Sequence, residues 1–493
     1  MDDSLPTPYR LIRALVRGVL RLFFREIAVE GRRHVPSGRG GLLVAWHPNG
    51  IIDPALILAH VPASVVFGAR DGLLRWPVFG PLIRALGTVP IYRAQDAADG
   101  EVGEAARREA NRKSLDALAA EVAAGRFAAL FPEGHSHDLP HVTEVRAGAA
   151  RLYARALALG GDAPPPVIVP VGLHYDAKAL FRSTALVAFH TPLDVPDELC
   201  ARLVSPDPAV ARAATDALTA RIERGLVHAV HPAESWALHT TMHRARTLVQ
   251  AEHACRTRTV APEDTPAERA LGFAQIWHGY QARRATRPAE IEALRQDVDD
   301  YGWLLDAVAL TDADLDHAPR LANPLMGAVL ALQAVGVFVL LPPVLLLGYA
   351  VNGPPHLLLK AVARRVARLQ KDAATVKLLG GLVLYPAAWL AAAGLAAWAH
   401  VRVHEAFPAI PARPLLAALA VFALSALGAV VALRYGEMAR ATVRAVRVRL
   451  TRARRGETVE LLRDQRADLF DRLMRLKEGL DLPETVTDPV GRG

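Results

Sequence analysis

Three stretches toward the C-terminal end of the chain, Leu325–Val351, Leu378–Val401 and Pro414–Leu433, contain no Asp, Glu, Lys or Arg. Each is about long enough to cross ~30 Å of hydrocarbon as a helix. Backbone placed in lipid must satisfy its own hydrogen bonds, which leaves few folds open to such a segment. Helices of a soluble core need only roughly 10–14 apolar residues. Three successive longer runs therefore predict membrane-embedded helices over residues 323–434. The basic segments "KAVARRVARLQKDAATVK" (360–377) and "RYGEMARATVRAVRVRLTRARR" (434–455) flank them, and the positive-inside rule puts both on the cytoplasmic side. Three simple spans cannot satisfy that placement together with a cytoplasmic N-terminal part. Pro342-Pro343 interrupts the first run, so the first run is expected to enter and leave on the cytoplasmic face. The other two are expected to form a hairpin, followed by a basic and charged helical tail over 435–493.

The chain has 493 residues, enough for two or three domains, and 52% of them are hydrophobic. Its net charge of +8 suits an anionic partner. Basic residues stand beside apolar segments without interleaved aromatics, which favours a lipid bilayer and speaks against nucleic acid. Cys200 and Cys255 have no metal or redox spacing, so a reducing compartment is expected. The first ten residues lack the basic and apolar regions of a secretory signal. From Arg10 to Val29, arginines at 10, 13, 17, 21 and 25 share one helical stripe, opposite Ile12, Leu15, Val16, Val19 and Phe23. This reads as an amphipathic helix over residues 1–30 lying at a membrane interface.

Residues 31–195 alternate short apolar runs with helical stretches. Runs at 40–46, 64–69, 87–92, 126–131, 166–173 and 185–190 are mostly continuously apolar, as strands buried on both faces are. Helices are expected near 73–86, 102–124 and 144–159. The fold class that follows is α/β, a largely parallel sheet flanked by helices. Residues 196–322 are charged and helical and read as a separate helical module.

Ligands of such sheets bind at the carboxyl ends of the strands. His47, Arg93 and Glu133 each follow a strand. In "AWHPNGIIDPAL" (45–56), His47 and Asp53 are a base and its orienting acid with no serine in a nucleophile context nearby. A substrate hydroxyl can take the place of that serine, deprotonated by His47 as it attacks an acyl carbon. Arg93, in "GTVPIYR", offers a planar fork to a phosphate. Glu133, in "FPEGHSHD", is placed to bind hydroxyls or to hold Arg93, and Gly134 permits a tight turn. Arg146, in "EVRAGAARL", is a second candidate for an anionic group. His135, His137, Asp138 and His141 make a weaker case for a metal, since they lie in one loop rather than at zinc-ligand spacing. No metal and no cofactor are expected.

Four blocks, His47…Asp53, Gly87…Ile91…Arg93, Phe131-Pro132-Glu133-Gly134 and Val167–Pro170, stand in the order and spacing that resemble the glycerolipid acyltransferase family over about residues 29–195. Five residues separate His47 from Asp53, where the family pattern has four. In that feature and in "PIYRAQD" the chain is similar to yeast-type glycerol-3-phosphate/dihydroxyacetone-phosphate acyltransferases. The resemblance implies acyl transfer from acyl-CoA or acyl carrier protein to a hydroxyl of glycerol 3-phosphate or 1-acylglycerol 3-phosphate (lysophosphatidate). His47 and Asp53 would be catalytic, and Arg93, Glu133, Gly134 and Arg146 would bind substrate. The expected location is the cell (inner) membrane with the catalytic domain on its cytoplasmic face. Two other readings stand beside it: a different lysolipid acceptor, or a non-catalytic membrane scaffold or transporter carrying a degenerate domain.

Overall fold

The structure is a computed structural model, and residues 6–75, 79–91, 104–259, 264–316, 324–366 and 370–487 are described. The chain divides into two compact units, one of Met1–His243, Glu263–Ala282 and Gly479–Gly493, the other of Arg244–Pro262 and Arg283–Glu478.

The first unit is built on α1 (Thr7–Phe23), β1 (Glu26–Glu30), β2 (Gly41–Ala45), α2 (Ile52–His60), β3 (Val65–Arg70), α3 (Asp71–Leu74), α4 (Phe79–Ala85) and β4 (Val89–Ile91). It continues through α5 (Glu104–Ala123), β5 (Phe127–Leu130), α6 (Gly148–Gly160), β6 (Val167–Tyr175), β7 (Thr184–Phe189), α7 (Asp197–Leu203) and α8 (Pro208–Val230). Helix α9 (Trp236–Thr257) crosses the division, and α10 (Pro266–Arg283) lies almost wholly in this unit. The strands form a single sheet in the order β1-β7-β6-β2-β5-β3-β4, parallel throughout except between β6 and β7. Every residue of β2 and of β7 is buried, as expected for strands covered on both faces. The sheet is thus the mostly parallel, helix-flanked α/β architecture that the apolar runs indicate.

Two expectations are corrected. The N-terminal helix stops at Phe23 rather than continuing to residue 29, and "EIAVE" becomes the edge strand β1, paired with β7 from Glu26↔Thr184 to Glu30↔Ala188. Ile27 and Val29 are β-branched and favour the extended form. Backbone bonds from Arg182 N–H to Phe23 O (2.7 Å) and from Arg25 N–H to Ser183 O (2.8 Å) draw the chain into the sheet. The arginine stripe of α1 is also split: Arg17 Nη2 donates to Ala59 O (2.7 Å) and Arg13 to the carbonyl of Val61. They satisfy carbonyls at the end of α2 that have no partner within that helix. Leu11, Leu15 and Leu22 face outward instead.

The second correction concerns residues 196–322, which do not form a module of their own. Ala214, Leu218, Ile222 and Leu226 of α8 are buried in one core with Leu42, Val44 and Ile168 of the sheet. The chain also returns at its far end, where Val486 packs with Leu186, Ala188 and Ala270, and Thr191 N–H donates to Thr487 O (3.1 Å).

The second unit contains α11 (Pro288–Ala307), α12 (Asp312–Asp316), α13 (Pro324–Val335), a π-helical turn (Gly336–Leu340), α14 (Leu341–Val344), α15 (Leu346–Val366), α16 (Gln370–Ala406), α17 (Pro414–Arg454) and α18 (Gly456–Lys477). Arg466 of α18, only 1% exposed, is held by Glu252 (2.9 Å) and bidentately by Asp316 (2.8 Å to each oxygen). Among the described residues two helices are long and apolar enough to cross a membrane, Ala374–Ala406 and Pro414–Arg454. The first apolar run is not a straight helix of that kind. It breaks into α13, the π turn and α14, the last of which contains Pro342-Pro343.

Candidate active site

Strand β2 ends at Ala45, and His47 follows two residues later at the carboxyl edge of the sheet. Asp53 lies in the first turn of α2, where the helix dipole favours a negative charge. The five residues between them fit because Gly50 takes a left-handed conformation (φ +49°) and closes a turn, with Ile52 N–H on Asn49 O (3.0 Å). His47 Nδ1 then lies 2.8 Å from Asp53 Oδ2. This bond fixes the tautomer, with the proton on Nδ1 and Nε2 left as the basic nitrogen. Nε2 makes no hydrogen bond to a described residue, and the side chain is 13% exposed. Phe131 stacks against the imidazole with centroids 4.1 Å apart and fixes its plane.

Asp53 is fully buried and its oxygens are well supplied with donors. Oδ2 also accepts the Asn49 N–H (2.7 Å), and Oδ1 accepts the hydroxyl of Tyr175. Burial, and then the neighbouring Asp53 charge, push the Tyr175 phenol well above its ordinary range, so it stays a donor. Tyr175 is the last residue of β6, the neighbour of β2 in the sheet.

Glu133 occupies a different place from the one its motif suggests. It is 0% exposed. Oε2 accepts the backbone N–H of His47 (3.0 Å), while Oε1 accepts His137 Nε2 (2.6 Å), Thr143 N–H (2.7 Å) and Thr143 Oγ1 (3.1 Å). Burial alone pushes its pKa up, but the His137 and Thr143 bonds outweigh it and hold the group below the ordinary carboxylate value. With these four donors in place, Glu133 ties the His47 loop to the 133–143 loop and has no face left for a substrate hydroxyl. A further bond from His137 N–H to His47 O (3.1 Å) closes the same seam.

Gly134 has φ +75°. A Cβ there would meet Arg146 Nη1 at 3.3 Å, so the missing side chain makes room for this guanidinium. Arg146 stands just before α6 rather than in its first turn, exposed, with no acidic partner among the described residues. Arg93 lies outside the described residues. In the histidine-rich loop, His137 uses both ring nitrogens, Nε2 on Glu133 and Nδ1 accepting the Leu139 N–H (3.2 Å). Asp138 pairs with Lys178. Among the described residues no three metal-type side chains converge.

Sequence reasoning did not single out Tyr175, Asn49 or Thr143, and it gave Phe131 only as the start of a block, without a role. Tyr175 had a signal, since it stands at a strand's carboxyl end, but the apolar run that marks β6 stops at Leu173. Thr143 had none: its bond to Glu133 joins residues in a loop without periodicity.

The acyltransferase family model matches residues 26–174. Among curated proteins, the chain is 23% identical over 451 residues to glycerol-3-phosphate O-acyltransferase 1 of Saccharomyces cerevisiae, covering 75% of this chain and 57% of that protein. It is 30% identical over 187 residues to glycerol-3-phosphate O-acyltransferase 2 of the same yeast, covering 37% and 23%. An uncharacterized acyltransferase of Schizosaccharomyces pombe is 25% identical over 259 residues, covering 36% and 38%. The chain therefore spans less than two thirds of the length of each of these relatives. A solved structure, the 1-acyl-sn-glycerophosphate (LPA) acyltransferase of Thermotoga maritima, aligns over 44% of this chain and 79% of its own at 18% identity, with a TM-score of 0.30. The match includes the strand ends and the helix turn where His47, Asp53 and Glu133 stand, and residues 26–174 are a domain of the acyltransferase family.

Proposed function

We propose that the protein is a membrane-bound O-acyltransferase that moves a fatty acyl group from a thioester, acyl-CoA or acyl carrier protein, to a hydroxyl of glycerol 3-phosphate or 1-acylglycerol 3-phosphate. The observation that carries this reading is the His47–Asp53 pair at 2.8 Å, with Nε2 of His47 unbonded to protein. The acceptor hydroxyl gives its proton to Nε2 as its oxygen attacks the thioester carbon. The tetrahedral oxyanion then collapses, the carbon–sulfur bond breaks, and the departing sulfur takes the proton back from His47. Asp53 holds the imidazole and stabilises its cationic form, and Asn49 and Tyr175 hold Asp53.

Arg146 and Arg93 are assigned to the acceptor phosphate, since a guanidinium binds two phosphate oxygens at once. Gly134 leaves the space Arg146 occupies. Glu133 is assigned the shape of the site rather than contact with substrate. Glycerol 3-phosphate is favoured as acceptor by the names of the two budding-yeast relatives, and the apolar helices fit an enzyme whose product is a lipid. On this reading the chain sits in the cell membrane with its catalytic domain on the cytoplasmic face, where the thioester donors are.

The test supplies the purified full chain in lipid nanodiscs with acyl-CoA and one of four acceptors, following free thiol release. Glycerol 3-phosphate, dihydroxyacetone phosphate, lysophosphatidate and lysophosphatidylcholine separate the acceptor classes. Acceptor-dependent thiol release that His47→Ala abolishes is the expected result. Absence of release with every acceptor, from acyl-CoA and, in a parallel series, from acyl carrier protein thioester, or an undiminished rate in His47→Ala, would overturn the proposal.

A further inference from the structure

We infer that residues 327–360 form a helical hairpin that enters one leaflet to about mid-depth and returns to the side it came from, leaving the crossing of the bilayer to α16 and α17. The inference deepens the membrane reading above and rests on it.

The inward path is read from the neighbours of α17. A Cβ on Gly327 would lie 2.7 Å from Arg449 Nη2, Gln333 Nε2 donates to Thr442 Oγ1 (2.9 Å), and a Cβ on Gly428 would lie 3.0 Å from Gly348 Cα. These three pairs step in opposite directions along the two segments at matching intervals, so residues 327–348 run antiparallel to α17. Arg449 and Thr442 belong to the arginine-rich half of α17, and Gly428 to its uncharged half. The chain therefore passes from the charged level into the apolar one. At the level of the uncharged half, Leu346, Leu357 and Leu358 are exposed, at 66%, 66% and 51%. Exposed leucines at that level suit contact with acyl chains.

The deepest residues, in the first turns of α15, lie beside Ser425. Asn352 Nδ2 donates to Ser425 O (3.1 Å) and to Gly348 O (2.9 Å), and its Oδ1 accepts Trp389 Nε1 (2.8 Å). At 1.5 Å per residue, Ser425 is ~16 Å from Pro414 and ~13 Å from Arg434, close to the middle of the uncharged segment. Polar groups at that depth must be satisfied by protein, and Asn352 meets the need by joining α15, α16 and α17. Gly348 and Gly428 let the two backbones approach. Had the run crossed completely, Val351 would lie beside the far end of α17 near Arg413.

The return follows α16. That helix is antiparallel to α17, as His404 Nδ1 with Ile410 O (2.6 Å) and Trp389 with Phe422 (centroids 5.9 Å) establish. Along α15 the neighbour on α16 moves from Trp389 for Asn352 to Gly380 for Leu359, whose Cδ1 lies 2.6 Å from a Cβ placed on Gly380. Residues after Leu359 thus come back to the start of α16 and to the level of Arg434. Lys360, Arg364 and Arg365 stand there, on the side of the basic half of α17.

The experiment places single cysteines at Ala361, Ala453 and Ala409, all exposed, in a chain whose Cys200 and Cys255 have been replaced by serine. Each is labelled with a membrane-impermeant maleimide in sealed right-side-out and inside-out vesicles. The expected result is that Ala361→Cys and Ala453→Cys label from one side and Ala409→Cys from the other. Labelling of Ala361→Cys together with Ala409→Cys would overturn the hairpin and leave the membrane reading intact. Labelling of all three from one side, with release of the protein by alkaline carbonate, would overturn the membrane reading itself.

Discussion

Glu133→Gln separates two roles for the same residue. All four groups that meet the Glu133 carboxylate are donors: the backbone N–H of His47, Thr143 N–H, Thr143 Oγ1 and His137 Nε2. A glutamine has one oxygen and one amino group, so whichever way it turns, its NH2 faces at least one buried donor. Facing His47 leaves one backbone N–H unmet, and facing Thr143 and His137 leaves three groups unmet. Each unsatisfied buried donor costs about 1–3 kcal/mol, and lost charge assistance adds to it. A loss of about 1–3 kcal/mol in the gentler orientation lowers the melting temperature of a unit this size by roughly 2–12 °C. Because the bond fixes the His47 backbone, kcat is expected to fall about tenfold or more while the acceptor KM stays within about twofold, as a small displacement of a catalytic group suffices for that. Differential scanning fluorimetry and initial rates over a range of glycerol 3-phosphate concentrations measure both. An unchanged melting temperature with a raised acceptor KM would refute the reasoning and return Glu133 to the substrate.

Four other outcomes are expected. His47→Ala lowers kcat by roughly 10²–10⁴-fold or more with little change in melting temperature, read by thiol release and fluorimetry. Tyr175→Phe removes a hydrogen bond to a buried carboxylate, worth about 1.5–3 kcal/mol, and is expected to reduce kcat about tenfold without altering either KM. Arg146→Ala raises the acceptor KM and leaves the KM for the acyl donor unchanged; a change in the donor alone would remove Arg146 from the phosphate. The fourth concerns pH. Burial first, and neighbouring histidines second, lower His174 to about 4 and His190 to about 3, and His231 well below its ordinary value. These groups are neutral when folded and take up protons when unfolded below about pH 6.5, so their contribution is full above that value and is lost toward pH 4–3. Each costs about 2 kcal/mol of stability at pH 5, and a thermal midpoint that is flat from pH 7 to 5 would contradict this.

The strands covered on both faces were legible because burial on both sides leaves no room for a polar residue, and β2, β5 and β7 stand out as unbroken apolar runs. Edge strand β1 was not, because "EIAVE" continues the apolar spacing of the preceding helix and only pairing with β7 decides between the two. His47 and Asp53 could be found as a pair, since both belong to one turn between a strand and a helix and their contact is local. Tyr175 and Thr143 reach Asp53 and Glu133 from 122 and 10 residues away, and nothing in spacing encodes which lone pair a distant donor will take. The same limit explains α8: its polar face and charge resemble a free-standing helical module, and the apolar stripe of Ala214, Leu218, Ile222 and Leu226 does not say which surface it covers.

Helix α17 runs without a break from Pro414 to Arg454, through the uncharged segment and on through the arginine-rich one. Arg444 Nη2 holds Asp314 Oδ2 (3.0 Å) and Arg452 holds the Asp314 carbonyl, so its far end is fastened to α12. In the membrane placement proposed above, such a helix is a lever with its fulcrum at the hydrocarbon boundary. From Arg434 to Arg454 the arm is ~30 Å, and a change of about 10° in tilt moves its end by ~5 Å. Thicker or thinner bilayers change helix tilt by themselves. If the proposed membrane placement holds, the thickness of the surrounding lipid becomes, through this one arm, a displacement of α12 and of the Arg466 hub.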